Sequence, residues 1–198
     1  MRQGRRLGVL GVLALLALAA GGVTFAAFRA TSANGGDIVE AGSVSLSDNG
    51  DGSNIVSLSG AVPGATTSAC IKVTYGGSLP ATVRLHGTTT GSGLDQYLDL
   101  KVTRGTYNPS TPAFKSCTNF QPDATNYAGA GNGVIYSGTL QGYPDDYASG
   151  LVDPTSGSPE SWTTGEVHVY RVDVTLQQNF SAQGKDAAQT FRWEARNQ

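Results

Sequence analysis

Apolar and polar residues alternate with period two at several places along the chain. Ile71, Val73 and Tyr75 fall on one side against Cys70, Lys72 and Thr74 on the other, and Val83 and Leu85 oppose Arg84 and His86. Leu98, Leu100 and Val102 oppose Asp99, Lys101 and Thr103. Near the end, Phe191, Trp193 and Ala195 oppose Arg192, Glu194 and Arg196. Each run predicts a strand with one buried face. Glu166 to Gln177 is the longest candidate. Tyr170, Val172, Val174 and Leu176 are in phase there, and Val167 and Val169 are out of phase, so a bulge near Val169 or burial on both faces is expected.

Asp48-Asn49-Gly50-Asp51-Gly52 separates Val44/Leu46 from Ile55/Val56/Leu58 and predicts a hairpin turn between the first two core strands, which begin near Ile38. Helical signals are few: Leu94 to Leu98 and Pro144 to Ala148 each predict a single turn. Asn108 to Pro159 is rich in Asn, Pro, Ser, Thr and Gly around one strand-like run, Val134 to Leu140, and reads as long surface loops. Short strands between turn clusters, with no alternating helices, predict an all-β fold: an antiparallel β-sandwich with long loops.

The first residues follow a different pattern. Arg2, Arg5 and Arg6 precede an apolar run from Leu7 to Ala20, and small residues follow up to Phe28. Basic, apolar, then small is the order of an export signal. Thr24 and Ala26 suit the small-residue positions before a signal peptidase cut between Ala26 and Ala27, giving a signal peptide of residues 1–26 and a mature domain of 27–198. The alternative is an uncleaved anchor, because Leu7 to Phe28 is long enough, at about 20 residues, to cross a bilayer.

Composition narrows the partners. With 13 Lys and Arg against 15 Asp and Glu the formal charge is −2. All three charges before Ala27 are arginines, so the remainder is more acidic still, which argues against a nucleic-acid partner. Only 14% of residues are charged, too few for charge-driven disorder. Cys70 and Cys117 are the two cysteines, and in an exported chain a disulfide between them is preferred over free thiols.

Candidate chemistry is sparse. The chain has no His-Glu-x-x-His helix, phosphate-binding loop or Gly-x-Ser-x-Gly elbow. His86 and His168 lie far apart inside predicted strands, where surface or packing roles are expected, so neither a metal site nor a cofactor is assigned. Asp48 to Asn54 offers oxygen ligands for calcium, but Gly50 and Gly52 occupy alternate positions and favour a turn. Asp145-Asp146 and Asp95/Asp99 are read as solvated loop charges rather than acid/base pairs. Tyr127, Tyr136, Tyr143, Tyr147 and Trp162 are read as packing residues in preference to a glycan-binding face.

Both ends of the chain carry a resemblance. Val23-Thr-Phe-Ala-Ala-Phe28, followed by Ile38-Val-Glu-Ala-Gly-Ser-Val-Ser-Leu46, resembles the start of the TasA/camelysin (CalY) family. Val62-Pro63-Gly64 is similar to that family's Pro-Gly turn, Gly76-Gly77-Ser78-Leu79 to a turn between its strands, and Phe191-Arg-Trp-Glu-Ala195 to its last strand. These blocks cover roughly half of the chain in the family's order. Asn108 to Pro159 has no counterpart, and the two cysteines are not characteristic of the family.

The resemblance implies a secreted, jelly-roll-like sandwich cut by a SipW-type signal peptidase and assembled head to tail into extracellular biofilm-matrix fibres, alone or with other matrix proteins. It would meet the membrane only through the uncleaved signal. Within that expectation Ala27, Phe28, Arg29, Ala30, Thr31, Ser32 and Ala33 form a donor strand for the next subunit, and Asn34-Gly35-Gly36 forms a hinge. An exposed sheet edge can accept such a segment through its unpaired N–H and C=O groups. A camelysin-like surface metalloprotease and a monomeric adhesin or glycan-binding module are the competing readings.

Overall fold

The computed structural model describes residues 29–33, 46–50, 55–56, 58, 61–155 and 158–197. Thirteen strands are formed among the described residues: β1 (Arg29–Ala33), β2 (Leu46–Asp48), β3 (Thr66–Tyr75), β4 (Ala81–Gly91), β5 (Leu98–Tyr107), β6 (Phe120–Pro122), β7 (Val134–Thr139), β8 (Leu151–Val152), β9 (Pro154–Thr155), β10 (Ser158–Pro159), β11 (Ser161–Trp162), β12 (Val167–Leu176) and β13 (Ala187–Asn197). Three short 3-10 turns, Asp95–Tyr97, Leu140–Gly142 and Phe180–Ala182, are the helical elements among the described residues.

All pairings among the described residues are antiparallel. One large sheet has the order β1-β13-β4-β11, with β8 also on β4; the second runs β2-β3-β12-β5-β6, with β7 also on β5; β9 and β10 pair as a separate two-stranded ribbon. The chain changes sheet between β3 and β4, β4 and β5, β11 and β12, and β12 and β13, so sequential strands face each other in the manner of a jelly roll. Ile71, Val102 and Val172 of one sheet and Val83, Leu85 and Trp193 of the other belong to one buried cluster. Removing each such side chain from water stabilises the sandwich by about 1.5–3 kcal/mol.

The alternating runs are buried as their patterns predict. In β12 the second expectation holds: His168, Val169, Tyr170, Val172, Asp173 and Val174 are all buried, and pairing to β3 is continuous through Val169 without a bulge. One face of β12 meets the core; on the other, Asp173 accepts hydrogen bonds from Ser68 of β3 and from Arg171. Cys70 and Cys117 form a disulfide with Cα atoms 5.1 Å apart, fixing the loop after β5 to β3. Closing a loop with a sequence separation of 47 stabilises by about 4 kcal/mol in the chain-entropy model.

Two expectations are corrected. Leu46 does not start a local hairpin: β2 pairs with the distant β3, Leu46 opposite Tyr75, and Ile55, Val56 and Leu58 lie outside any strand. The turn chemistry is present, since Asp48 Oδ1 accepts the Gly50 N–H at 2.7 Å, but Asn49 Oδ1 accepts the Lys72 N–H at 2.8 Å and directs the segment to β3. Pro144 to Ala148 is not helical; it runs through bends and turns, and the Pro144 carbonyl accepts the Gly87 N–H at 2.9 Å. The signal segment, its cut at Ala26–Ala27, Phe28 and the hinge at 34–36 lie outside the described residues.

Candidate functional site

Of the expected donor strand, Arg29–Ala33 is described, and it is a strand. It lies at the edge of its own sheet as β1, antiparallel to β13, with Arg29 opposite Arg196, Thr31 opposite Glu194 and Ala33 opposite Arg192. Ala30 and Ser32 stand opposite Ala195 and Trp193, both buried in the core. Small residues are found where β1 meets this inner row.

β13 pairs with β4 along its full length, from Ala187 opposite Gly91 to Asn197 opposite Ala81. β1 covers only the half from Arg192 to Arg196. Five residues supply few ladder bonds, each worth about 0.5–1.5 kcal/mol net. Such a strand is held weakly compared with β4 and β13, which share eleven partners.

On the outer face beside this edge, Glu194 is fully buried. Its Oε2 lies 3.2 Å from His86 Nε2, and its Oε1 accepts a hydrogen bond from Arg196 Nε at 2.9 Å. Arg196 also sits over the Tyr147 ring, 3.7 Å from the centroid, with Arg84 at 5.2 Å. The loop carrying Tyr147 is thereby fastened across β4 and β13, where cation–π contact and charge pairing reinforce each other.

A second charged cluster is buried on the other sheet. Arg104 of β5 is seated by a close backbone approach: its N–H donates to the Gly133 carbonyl at 2.7 Å, and Gly133 has φ +71, a conformation suited to glycine. A Cβ on Gly133 would meet the Arg104 carbonyl at 2.4 Å. The guanidinium reaches Asp153 at 3.0 Å and Asp123 at 3.1 Å, pairs with Glu160, and donates to His168 Nδ1 and to the Pro154 carbonyl. Its contact with Asp153 Oδ1 is an ion pair that lacks hydrogen-bond alignment. His168 Nε2 lies 3.0 Å from Glu166, and its ring packs against Trp162 at 4.4 Å.

These neighbours set the protonation states. Burial pushes the Asp153 carboxyl up to about 7, against the pull of Arg104. Burial also raises Glu160. Glu166 is lowered: burial opposes its charge, and His168 and the Thr163 N–H overcome that opposition. Burial, then the Arg104 charge, hold His168 below its ordinary range. For Arg104 itself burial disfavours the charge, but Asp153, Glu160 and Asp123 outweigh it, so it is held more firmly protonated.

Asp153, Glu160 and His168 present ligand atoms within 4.8 Å of one another, a spacing that fits one cation. Arg104 already places a positive charge among them. Its position makes the cluster an arginine-centred tie that fastens the segments around Asp123, Asp153 and Glu160 to the sheet.

The other singled-out residues have local roles. Trp162 and Tyr143 are buried, Tyr136 packs edge-on against Tyr143 at 5.3 Å, and Tyr127 donates to Asp123, so these rings do not form a shared exposed face. Asp99 accepts from Gln177 at 2.7 Å, and Asp146 accepts the Ser149 N–H at 2.7 Å. Sequence reasoning singled out His168 but missed Arg104, Asp153 and Glu160. Their only signal was a charge inside or next to otherwise apolar or loop-like runs. The chain matches no protein-family model and no curated protein.

Proposed function

We propose that the chain is a secreted structural subunit that assembles head to tail into extracellular, biofilm-matrix-type fibres by exchanging its N-terminal strand. The observation that carries this reading is the position of β1: a five-residue N-terminal strand added to the outside of β13. A strand at an edge, joined to the rest of its sheet through one neighbour, can be replaced by the same strand of another copy in the same register. Exchange preserves every backbone pairing, and the gain for a fibre comes from linking copies.

The basic-apolar-small N-terminus supports export and release by a SipW-type signal peptidase. The resemblance of both chain ends to the TasA/camelysin family supports the same assignment. The disulfide suits an oxidising compartment. The metalloprotease reading has less support, because Arg104 occupies the place where the acid and histidine ligands converge.

An adhesin reading has one observation in its favour. A polar concavity of about 410 Å³ on the outer face of the β3-β12-β5 sheet is lined by Asp99, Lys101, Ser137, Arg171, Asp173 and Thr175. The test that separates the readings is negative-stain microscopy and intact-mass analysis of the secreted protein. Filaments of a chain starting at Ala27 support the subunit reading; a persistent monomer that binds glycans overturns it.

A further inference from the structure

Two polar rows cross the outer face of the sheet that β1 does not join. Ser68, Asp173, Lys101 and Ser137 stand side by side over β3, β12, β5 and β7, and Thr66, Thr175, Asp99 and Thr139 form the next row. Val172, Val174 and Leu100, their neighbours along the strands, belong to the core, so the pleat turns both rows outward. Most of these residues, with Arg171, line the polar concavity of about 410 Å³, a volume within the range of small-ligand sites.

Asp173 is its buried member, at 7% exposure. Its Oδ1 accepts from Ser68 Oγ and, at 2.8 Å, from Arg171 Nε. Its Oδ2 is buried and has no hydrogen-bond partner among the described residues. The Lys101 ammonium lies 4.0 Å from that oxygen, close enough for charge attraction and too far for a hydrogen bond. A carboxylate oxygen removed from water without a donor is costly, and a ligand that supplies an O–H recovers that cost. The Lys101 side chain is half exposed, so its ammonium can turn aside to admit one.

We propose that this concavity binds a neutral, hydroxyl-rich saccharide, with Asp173 as the buried acceptor and Lys101 and Arg171 as donors. A hydroxyl both donates and accepts, so one placed between Asp173 Oδ2 and the Lys101 ammonium satisfies both. Asp99, held through Oδ1 by Gln177 at 2.7 Å, and the mutually bonded Thr66 and Thr175 hydroxyls extend the same mixed pattern along the floor. The charges of Asp99 and Asp173 cancel those of Lys101 and Arg171. An anionic polymer would meet the two carboxylates, and a cation would meet the ammonium and guanidinium. An apolar ligand would strip water from all four without replacing its hydrogen bonds. The inference deepens the observation that favours the adhesin reading and does not depend on whether copies polymerise. In a filament every copy would present the same face, and a long saccharide held at several points needs no single tight contact.

The test is affinity electrophoresis of the full secreted chain through gels containing dextran, galactomannan or laminarin, with polygalacturonate as the anionic control, each mobility being compared with that in a polymer-free gel. Retardation by at least one neutral polymer, persisting in salt, is expected. Lys101→Met, at a half-exposed position, and Asp173→Asn should each weaken that binding about tenfold or more. Thermal unfolding of Lys101→Met should stay unchanged, which separates lost binding from lost structure. Retardation by none of the neutral polymers, by polygalacturonate alone, or equally for the unaltered chain and Lys101→Met overturns the site. Binding by a chain that forms no filaments supports the site and counts against strand exchange alone.

Discussion

Arg29 of β1 stands directly opposite Arg196 of β13, a like-charge pair at the outer end of the edge strand. Like charges in direct register weaken strand pairing, by about 0.2–1 kcal/mol. Arg196 is partly neutralised by Glu194 and the Tyr147 ring, which lessens the repulsion. Under the proposed strand exchange, a like-charge pair in register would ease the release of β1 from its own copy.

Arg29→Glu should tighten the pairing of β1 with β13, whether the strand comes from the same copy or from the next. Because the same pairing is strengthened within a copy and between copies, the concentration at half-assembly, read by sedimentation, should stay unchanged, whereas the rate at which subunits exchange should fall about two- to fivefold at low salt and recover as salt screens the pair. An unchanged exchange rate would show that Arg29 does not face Arg196.

Arg104→Met keeps bulk and removes the charge that Asp123, Asp153 and Glu160 share. Stripping the cation from a buried cluster costs about 3–5 kcal/mol. For a chain of this size that lowers Tm by roughly 6–20 °C, measurable by calorimetry. A shift under about 2 °C would mean that the cluster does not tie the loops to the sheet.

The same cluster gives a pH dependence with two opposing parts. The folded Asp153 carboxyl lies above its ordinary value, so its contribution is fully present below about pH 4 and lost as pH rises to about 7, at no more than about 1.4 kcal/mol per pH unit. His168 is shifted down, so its contribution is present above its ordinary value near 6.5 and lost as pH falls through its folded value. Between pH 6.5 and 5 the two offset each other in the unaltered chain. Asp153→Asn removes the first part, so its Tm should fall more steeply on acidification over that interval than that of the unaltered chain. Parallel curves would contradict the assignment.

The long strands were legible because at least one face of each is buried: Val83 and Leu85 alternate with Arg84 and His86 where the sheet has an inside and an outside. Pairing was less legible. Asp48 to Gly52 has the chemistry of a turn, but a turn does not determine which strand Leu46 will join, and the partner, Tyr75, comes from a non-local contact. Arg104 and His168 are 64 residues apart in sequence, and Asp153 and Glu160 come from loops between them, so no spacing reveals the cluster. Arg29–Ala33 was legible as an extended segment because it has little turn chemistry. Its register with Arg192–Arg196 required the structure.

The central claim, that copies are joined through the N-terminal strand, is tested most directly by deleting residues 27–33 from the mature chain and comparing the product with the intact one by sedimentation and negative-stain imaging. The sandwich does not depend on β1 for its core strands, which pair among themselves from β2 onward. The account predicts a folded monomer with the Cys70–Cys117 disulfide intact and no filaments at concentrations where the intact chain polymerises. Filaments of the same form and yield from the truncated chain would contradict it.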